Sequence, residues 1–231
     1  KLLDQDQITQ EAINVTENYT APFITNNGVN IADGPIAAAS NRYGIHVLSG
    51  GTVTGSVTNS GTISVEGLNS AGIALDSTLN GNLGNTGTIS VKGDNSAGIR
   101  TSAVTGNVTA GGTVTAIGQG AQALVTSGDI GGTLKINGTL GQATTYTADD
   151  GTSQVLSRTA LKSGMAAVEV DGNVAGGILI AAPNSSTSTE TTGSIQSYGD
   201  SPALQIGGAN DITIGTVASN DGTYSVAVDG N

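Results

Sequence analysis

The chain has 231 residues, of which 36 are glycine, one is phenylalanine and none is tryptophan or cysteine; 18 acidic and 7 basic side chains leave a formal charge of −11. A wide globular core draws on large aromatics, disulfides and thiolate metal sites need cysteine, and nucleic acids or anionic membranes are held by clustered Lys and Arg. All three readings are set aside, and because hydrophobic residues still make up 36% of the chain, a narrow, repeated core of Val, Ile, Leu and Ala is expected rather than disorder.

In chain order, residues 1–33 come first. They hold the alternating run Glu11-Ala12-Ile13-Asn14-Val15-Thr16 followed by Tyr19 and Phe23, and are read as an N-terminal cap or strand extension that shields a β-edge. Lys1 is not an initiator Met and no signal-peptide core follows it, so a processed or excised fragment is expected. No apolar run is long enough for a transmembrane helix. From Gly34 onward the chain repeats. Residues 61–73 and 87–99 share 11 of 13 identities at an offset of 26. Further copies are anchored at Gly112, Gly138, Gly193 and Gly215, and an upstream copy ends at Tyr43-Gly44-Ile45. Between them runs an apolar-x-Gly-x-apolar signature: Val53–Val57, Leu79–Leu83, Val104–Val108, Ile130–Leu134 and Val174–Ile178. Each repeat thus holds three short segments of period-two alternation, bounded by Gly, Asn and Asp, which is a strand signal. Two stretches, 141–165 and 181–193, break the rhythm and read as loops leaving the repeat.

Three short strands in ~25 residues describe one coil of an all-β, right-handed parallel β-helix, a β-solenoid, with about seven coils over residues 34–231. At ~4.8 Å between strands the rod is about 35 Å long. Stacking places Ile63 by Ile89 and Val114, and Ile73 by Ile99 and Leu124, as apolar ladders. Gly67, Gly93, Asn69 and Asn95 fall at corners, where positive φ is cheapest for Gly and Asn. Glu66 and Lys92 fall in equivalent positions of neighbouring coils and are predicted to pair across the outer face.

The one histidine, His46, lies between Ile45 and Val47 and is predicted to point outward into solvent, with no carboxylate near it in sequence. Glu169, Asp171, Asp149, Asp150, Arg158 and Lys162 are the candidates for a carboxylate site on one face; a solvated acidic face is the favoured reading. Asp171-Gly172-Asn173, Asn220-Asp221-Gly222 and Asp229-Gly230-Asn231 are oxygen-rich enough to raise calcium, but they lack a nonapeptide or EF-hand pattern, and Asx turns account for them. No catalytic, cofactor or metal residue is therefore assigned, and no cofactor is expected.

The Asn-Ser-Ala-Gly-Ile and Gly-Thr-Ile-Ser-Val units at 61–73 and 87–99, with their degenerate copies, resemble the passenger repeats of autotransporter proteins of Gram-negative bacteria, sphingomonad-like ones included. The resemblance covers roughly residues 34–231. It implies a right-handed β-helix, export to the cell surface, and an outer-membrane β-barrel that these residues do not contain. The expected function is that of an extracellular structural or adhesive surface protein, not an enzyme. Its expected partners are copies of itself, neighbouring solenoids or a surface glycan. A surface-layer or fibre subunit and a β-helical polysaccharide lyase or glycosidase are the alternatives.

Overall fold

The computed structural model describes residues 11–15, 19–32, 40–147, 151–158, 160–161, 163–182, 192–208 and 211–230. Over these residues the protein is all-β, without a helix, and its long-range pairing is parallel. Among the described residues no helix is long and apolar enough to cross a membrane.

Strands separated by one repeat in sequence lie side by side in space. One seven-stranded sheet takes a single segment from each repeat: Glu11–Val15, Tyr43–Val47, Ala71–Leu75, Ala97–Thr101, Gln122–Thr126, Val168–Val170 and Leu204–Ile206. A twelve-stranded sheet collects the other segments, among them Thr62–Glu66, Thr88–Lys92, Val108–Ile117 and Leu134–Gln142. The last two strands are long because each joins two segments that are separate in earlier repeats. Residues 108–110 pair with Leu83–Asn85, and 113–117 pair with Thr88–Lys92. Gly111 and Gly112 carry the chain through the bend between them, Gly112 with φ of 62°.

The register is the one the internal repeats predict. Ile63, Ile89 and Val114 are Cα partners in succession, continuing to Leu140 and Ile195. Ile45, Ile73, Ile99, Leu124, Val168 and Leu204 form a second ladder. Leu79, Val104, Ile130, Val174 and Ile214 form a third, through single parallel bridges. These side chains meet in one interior cluster, and a period of two in each strand is what sends them there. Asn41, Asn69 and Asn95 take φ of 56°, 52° and 55°, and Gly120 takes 72° at the equivalent corner. The corner role expected of Asn69 and Asn95 is thus observed.

The interior is not wholly apolar. Asn26 Nδ2 donates to Asn59 Oδ1 at 2.7 Å, Asn59 Nδ2 to Asn85 Oδ1 at 2.6 Å, and Asn85 Nδ2 to the Gly111 carbonyl at 2.6 Å. This buried amide ladder runs up one corner and satisfies groups that would otherwise be costly there.

Two features depart from the sequence reading. The Gly215 anchor is wrong. Ile214 bridges to Val174, which places Gly215 opposite Ala175, and Val217–Ala218 pairs antiparallel with Thr223–Tyr224 in a local hairpin. The Gly-Thr-apolar triplet there imitates a repeat start. The first loop is also shorter than 141–165, since Leu134–Gln142 continues through 142 and the Ser163 carbonyl already accepts the Gly120 N–H at 2.6 Å. What leaves the stack carries the hairpin Thr145–Thr147 with Ser153–Val155. The second loop is closed at its base, where the Gly193 N–H donates to the Ala181 carbonyl at 2.7 Å; residues 183–191 lie outside the described residues.

Candidate functional site

The side chains that alternate with the Ile63–Ile89–Val114 ladder point outward. Thr62, Thr88, Thr113 and Thr139 share one register column, and Ser64, Ser90 and Thr115 share the next. Thr62, Thr88 and Thr113 are exposed, and the inner column is half-buried. The result is a strip of hydroxyls repeated once per strand, at ~4.8 Å.

Beside the outer column runs a groove of about 490 Å³ lined by Ser60, Gly61, Thr86, Gly87, Gly112 and Thr113, among others. Its floor is bare peptide. A Cβ at Gly61, Gly87 or Gly112 would overlap the carbonyl oxygen of the glycine one repeat before it, Gly28, Gly61 or Gly87. Glycine is required there for the stack to close up.

The opposite rim of the strip carries the predicted pair. Lys92 Nζ lies 2.8 Å from Glu66 Oε1, and the two are Cα partners. Lys92 also sits 4.7 Å from the centroid of the Tyr146 ring, so the hairpin that leaves the stack folds back over it. Further along, Tyr198 is held at its backbone, its N–H donating to Gln142 Oε1 at 2.7 Å, and its side chain is 40% exposed. The rim thus presents two tyrosines and a charge pair that sums to zero.

His46 is a correction. It points away from the interior ladder as expected, but it is only 4% exposed and not solvated. The Tyr43 ring stacks on it at 3.9 Å, and its Nε2 lies 2.9 Å from Asp76 Oδ2. Arg100 grips the same carboxylate, with Nε at 3.2 Å and Nη2 at 2.9 Å from Oδ1 and Nη2 at 3.0 Å from Oδ2. Burial pulls against the Arg100 charge, but the Asp76 carboxylate, with hydrogen bonding to Tyr43 and Asp76, outweighs it and holds the guanidinium above its ordinary value. The carboxylate is 30 residues from His46 in sequence and one repeat away in space. The signal was present in the register: 46, 74 and 100 fall in one column, and Ala74 is small enough for His46 and Arg100 to meet around it.

The described acidic candidates do not gather. The strand ends at Val170, before Asp171; Glu169 Oε2 is taken by Gln122 Nε2 at 2.6 Å, and Asp171 Oδ1 is buried beside Gly208 without a hydrogen-bond partner. Arg158 is exposed on the departing segment; Asp149, Asp150 and Lys162 lie outside the described residues. Among the described residues no three of His, Asp and Glu come together as a metal would need. The Asn220-Asp221-Gly222 turn is tied internally, the Asn220 N–H donating to Asp229 Oδ2 at 3.2 Å and Ser219 Oγ lying 2.5 Å from Asp229 Oδ1. Asn173, next to Asp171-Gly172, donates its N–H and Nδ2 to Asp129 Oδ1 at 2.9 and 3.0 Å.

Comparison with known proteins gives no relative: no family model, no curated protein and no solved structure matches the chain.

Proposed function

We propose that this chain is a length of right-handed parallel β-helix, about seven coils of three segments, that works as a rod-like structural and adhesive protein on the outside of a Gram-negative cell. The observation that carries the reading is how the residues are used. Nearly every interior side chain belongs to a stacking ladder, and apart from the His46–Asp76–Arg100 cluster the described acidic and basic groups are paired or spread out. What remains outward and repeated is the hydroxyl strip with its groove. A surface that repeats suits contact with an extended partner better than turnover of a small one. On this reading the passenger-like repeats reach the surface by the autotransporter route.

Two measurements test it. Small-angle scattering from the isolated chain is expected to give an elongated profile of constant cross-section; a sphere-like profile refutes the rod. Beads coated with the chain are expected to be retained on bacterial or host cell surfaces above beads coated with an inert protein of equal charge. Equal retention refutes the adhesive role.

A fibre subunit is the second reading, favoured by the parallel ladders, whose strand edges can pair with a second copy as they pair between repeats. Sedimentation that shows concentration-dependent growth supports this reading, and a monomer at every concentration excludes it.

A further inference from the structure

We propose that the hydroxyl strip and its groove bind a neutral, linear polysaccharide laid along the stacking direction. The proposal rests on the adhesive reading above and names the ligand for it. Four features of the strip converge on that class.

The first is periodicity. Thr62, Thr88, Thr113 and Thr139 repeat at the strand spacing, ~4.8 Å, with Ser64, Ser90 and Thr115 beside them. A polymer of similar small units meets an equivalent contact at each step, whereas a single small molecule would use one step and leave the rest idle. The second is the balance of donors and acceptors. Threonine and serine hydroxyls each donate once and accept twice, and Thr62, Thr88 and Thr113 are exposed. Sugar hydroxyls have the same dual character and can satisfy both. The third is charge. The whole chain carries −11, which repels polyanions. The strip itself is uncharged except at its rim, where Glu66 and Lys92 neutralise one another at 2.8 Å. A neutral polymer bears neither cost. The fourth is the tyrosine rim. Tyr198 is 40% exposed and Tyr146 lies over Lys92. An aromatic face with a polar tip covers the C–H faces of a pyranose while its hydroxyl stays wet. The concavity of about 490 Å³ runs along several repeats, as a chain lying lengthwise requires.

The test is native electrophoresis of the whole chain through gels containing hydroxyethyl cellulose, galactomannan or mixed-linkage β-glucan, with polygalacturonate as the acidic control. Retardation is expected with at least one neutral polymer and not with polygalacturonate. Replacing Thr88→Val together with Thr113→Val keeps the branched shape and removes two hydroxyls; it is expected to weaken retardation about tenfold, the value of two modest hydrogen bonds. Tyr198→Ala, at an exposed position, is expected to weaken it severalfold and serves alone if the double variant fails to melt like the parent. Thr54→Val, outside the strip, is expected to change nothing. The proposal is overturned by retardation in none of the neutral polymers, by retardation that survives both variants, or by preference for polygalacturonate. Bead adhesion that persists without any glycan retardation overturns this proposal and leaves the adhesive reading standing. Loss of both ends both.

Discussion

Gly84 and Gly87 are three residues apart and face opposite demands. A Cβ at Gly84 meets only a Thr58 methyl at 3.6 Å, while one at Gly87 would overlap the Gly61 carbonyl. Gly84→Ala is therefore expected to change stability by no more than ~1 kcal/mol, and in the favourable direction if loss of unfolded-state freedom dominates. Gly87→Ala is expected to cost about 2–4 kcal/mol, because repeats must be pushed apart to admit it. Urea midpoints at constant m-value separate the two. The asparagine ladder makes a similar claim inside the stack. Asn59→Ala strips partners from both Asn26 Nδ2 and Asn85 Oδ1, with an expected loss of about 2–4 kcal/mol for two buried groups left unpaired. Asp76 is the third such residue, since His46 and Arg100 both depend on it. Asp76→Ala is expected to lower stability by about 1–3 kcal/mol. The raised Arg100 value fixes the sign of one pH effect. A cation whose folded value lies above its unfolded one stabilises fully below the unfolded value, and that stabilisation fades only as pH climbs through the folded one. The Arg100 contribution therefore persists across neutral and mildly alkaline pH, which a series of melts in that range would check.

At the scale of elements, the parts of the fold legible in the sequence were those written twice. The near-identity of 61–73 and 87–99 gave strands, ladders and the Glu66–Lys92 pair, because the offset between two copies is also the register between two strands. What lay outside that logic was less visible. Nothing in the letters marks Gly111-Gly112 as a bend inside one strand rather than a break between two, since glycine serves both. Gly215 misled because Gly-Thr-Val also suits a hairpin arm, and the Asn220-Asp221-Gly222 turn is local enough to form it. The His46–Asp76–Arg100 cluster was missed by looking for a carboxylate along the chain, when a column of the repeat was where it stood. The hydroxyl strip was in plain sight as Thr-x-Ser, but its groove is lined by residues of four successive repeats and shows only when strands are stacked. The charge pair gives an element-level test. Glu66→Lys alone sets like charges on adjacent strands and is expected to cost about 0.5–1 kcal/mol, and adding Lys92→Glu is expected to recover most of it. Replacing residues 144–157 by a short Gly-Ser linker removes Tyr146 from Lys92 and is expected to cost only about 1 kcal/mol or less, since an exposed cation–π contact is worth little more and loop length is cheap.

The whole molecule is a stack in which each repeat touches its neighbours, so stability is expected to vary along it rather than be shared evenly. The middle repeats, around Thr88–Lys92 and Ala97–Thr101, have a neighbour on each side and fully buried ladders. The last ones, Leu204–Ile206 and Val226–Val228, are short and partly exposed. Amide exchange is expected to be fastest in those last strands and slowest in the middle; uniform protection would mean a single cooperative block instead. The parallel ladders have one more consequence, and it concerns force. Each ladder bond joins one repeat to the next, so tension on one end does not load all the bonds at once. It works on the outermost repeat until that repeat peels away, then on the next. A tether of this kind yields in steps, each letting out one repeat of ~25 residues, or roughly 80 Å of extended chain. A stack anchored at one end and snagged at the other would lengthen under load rather than snap.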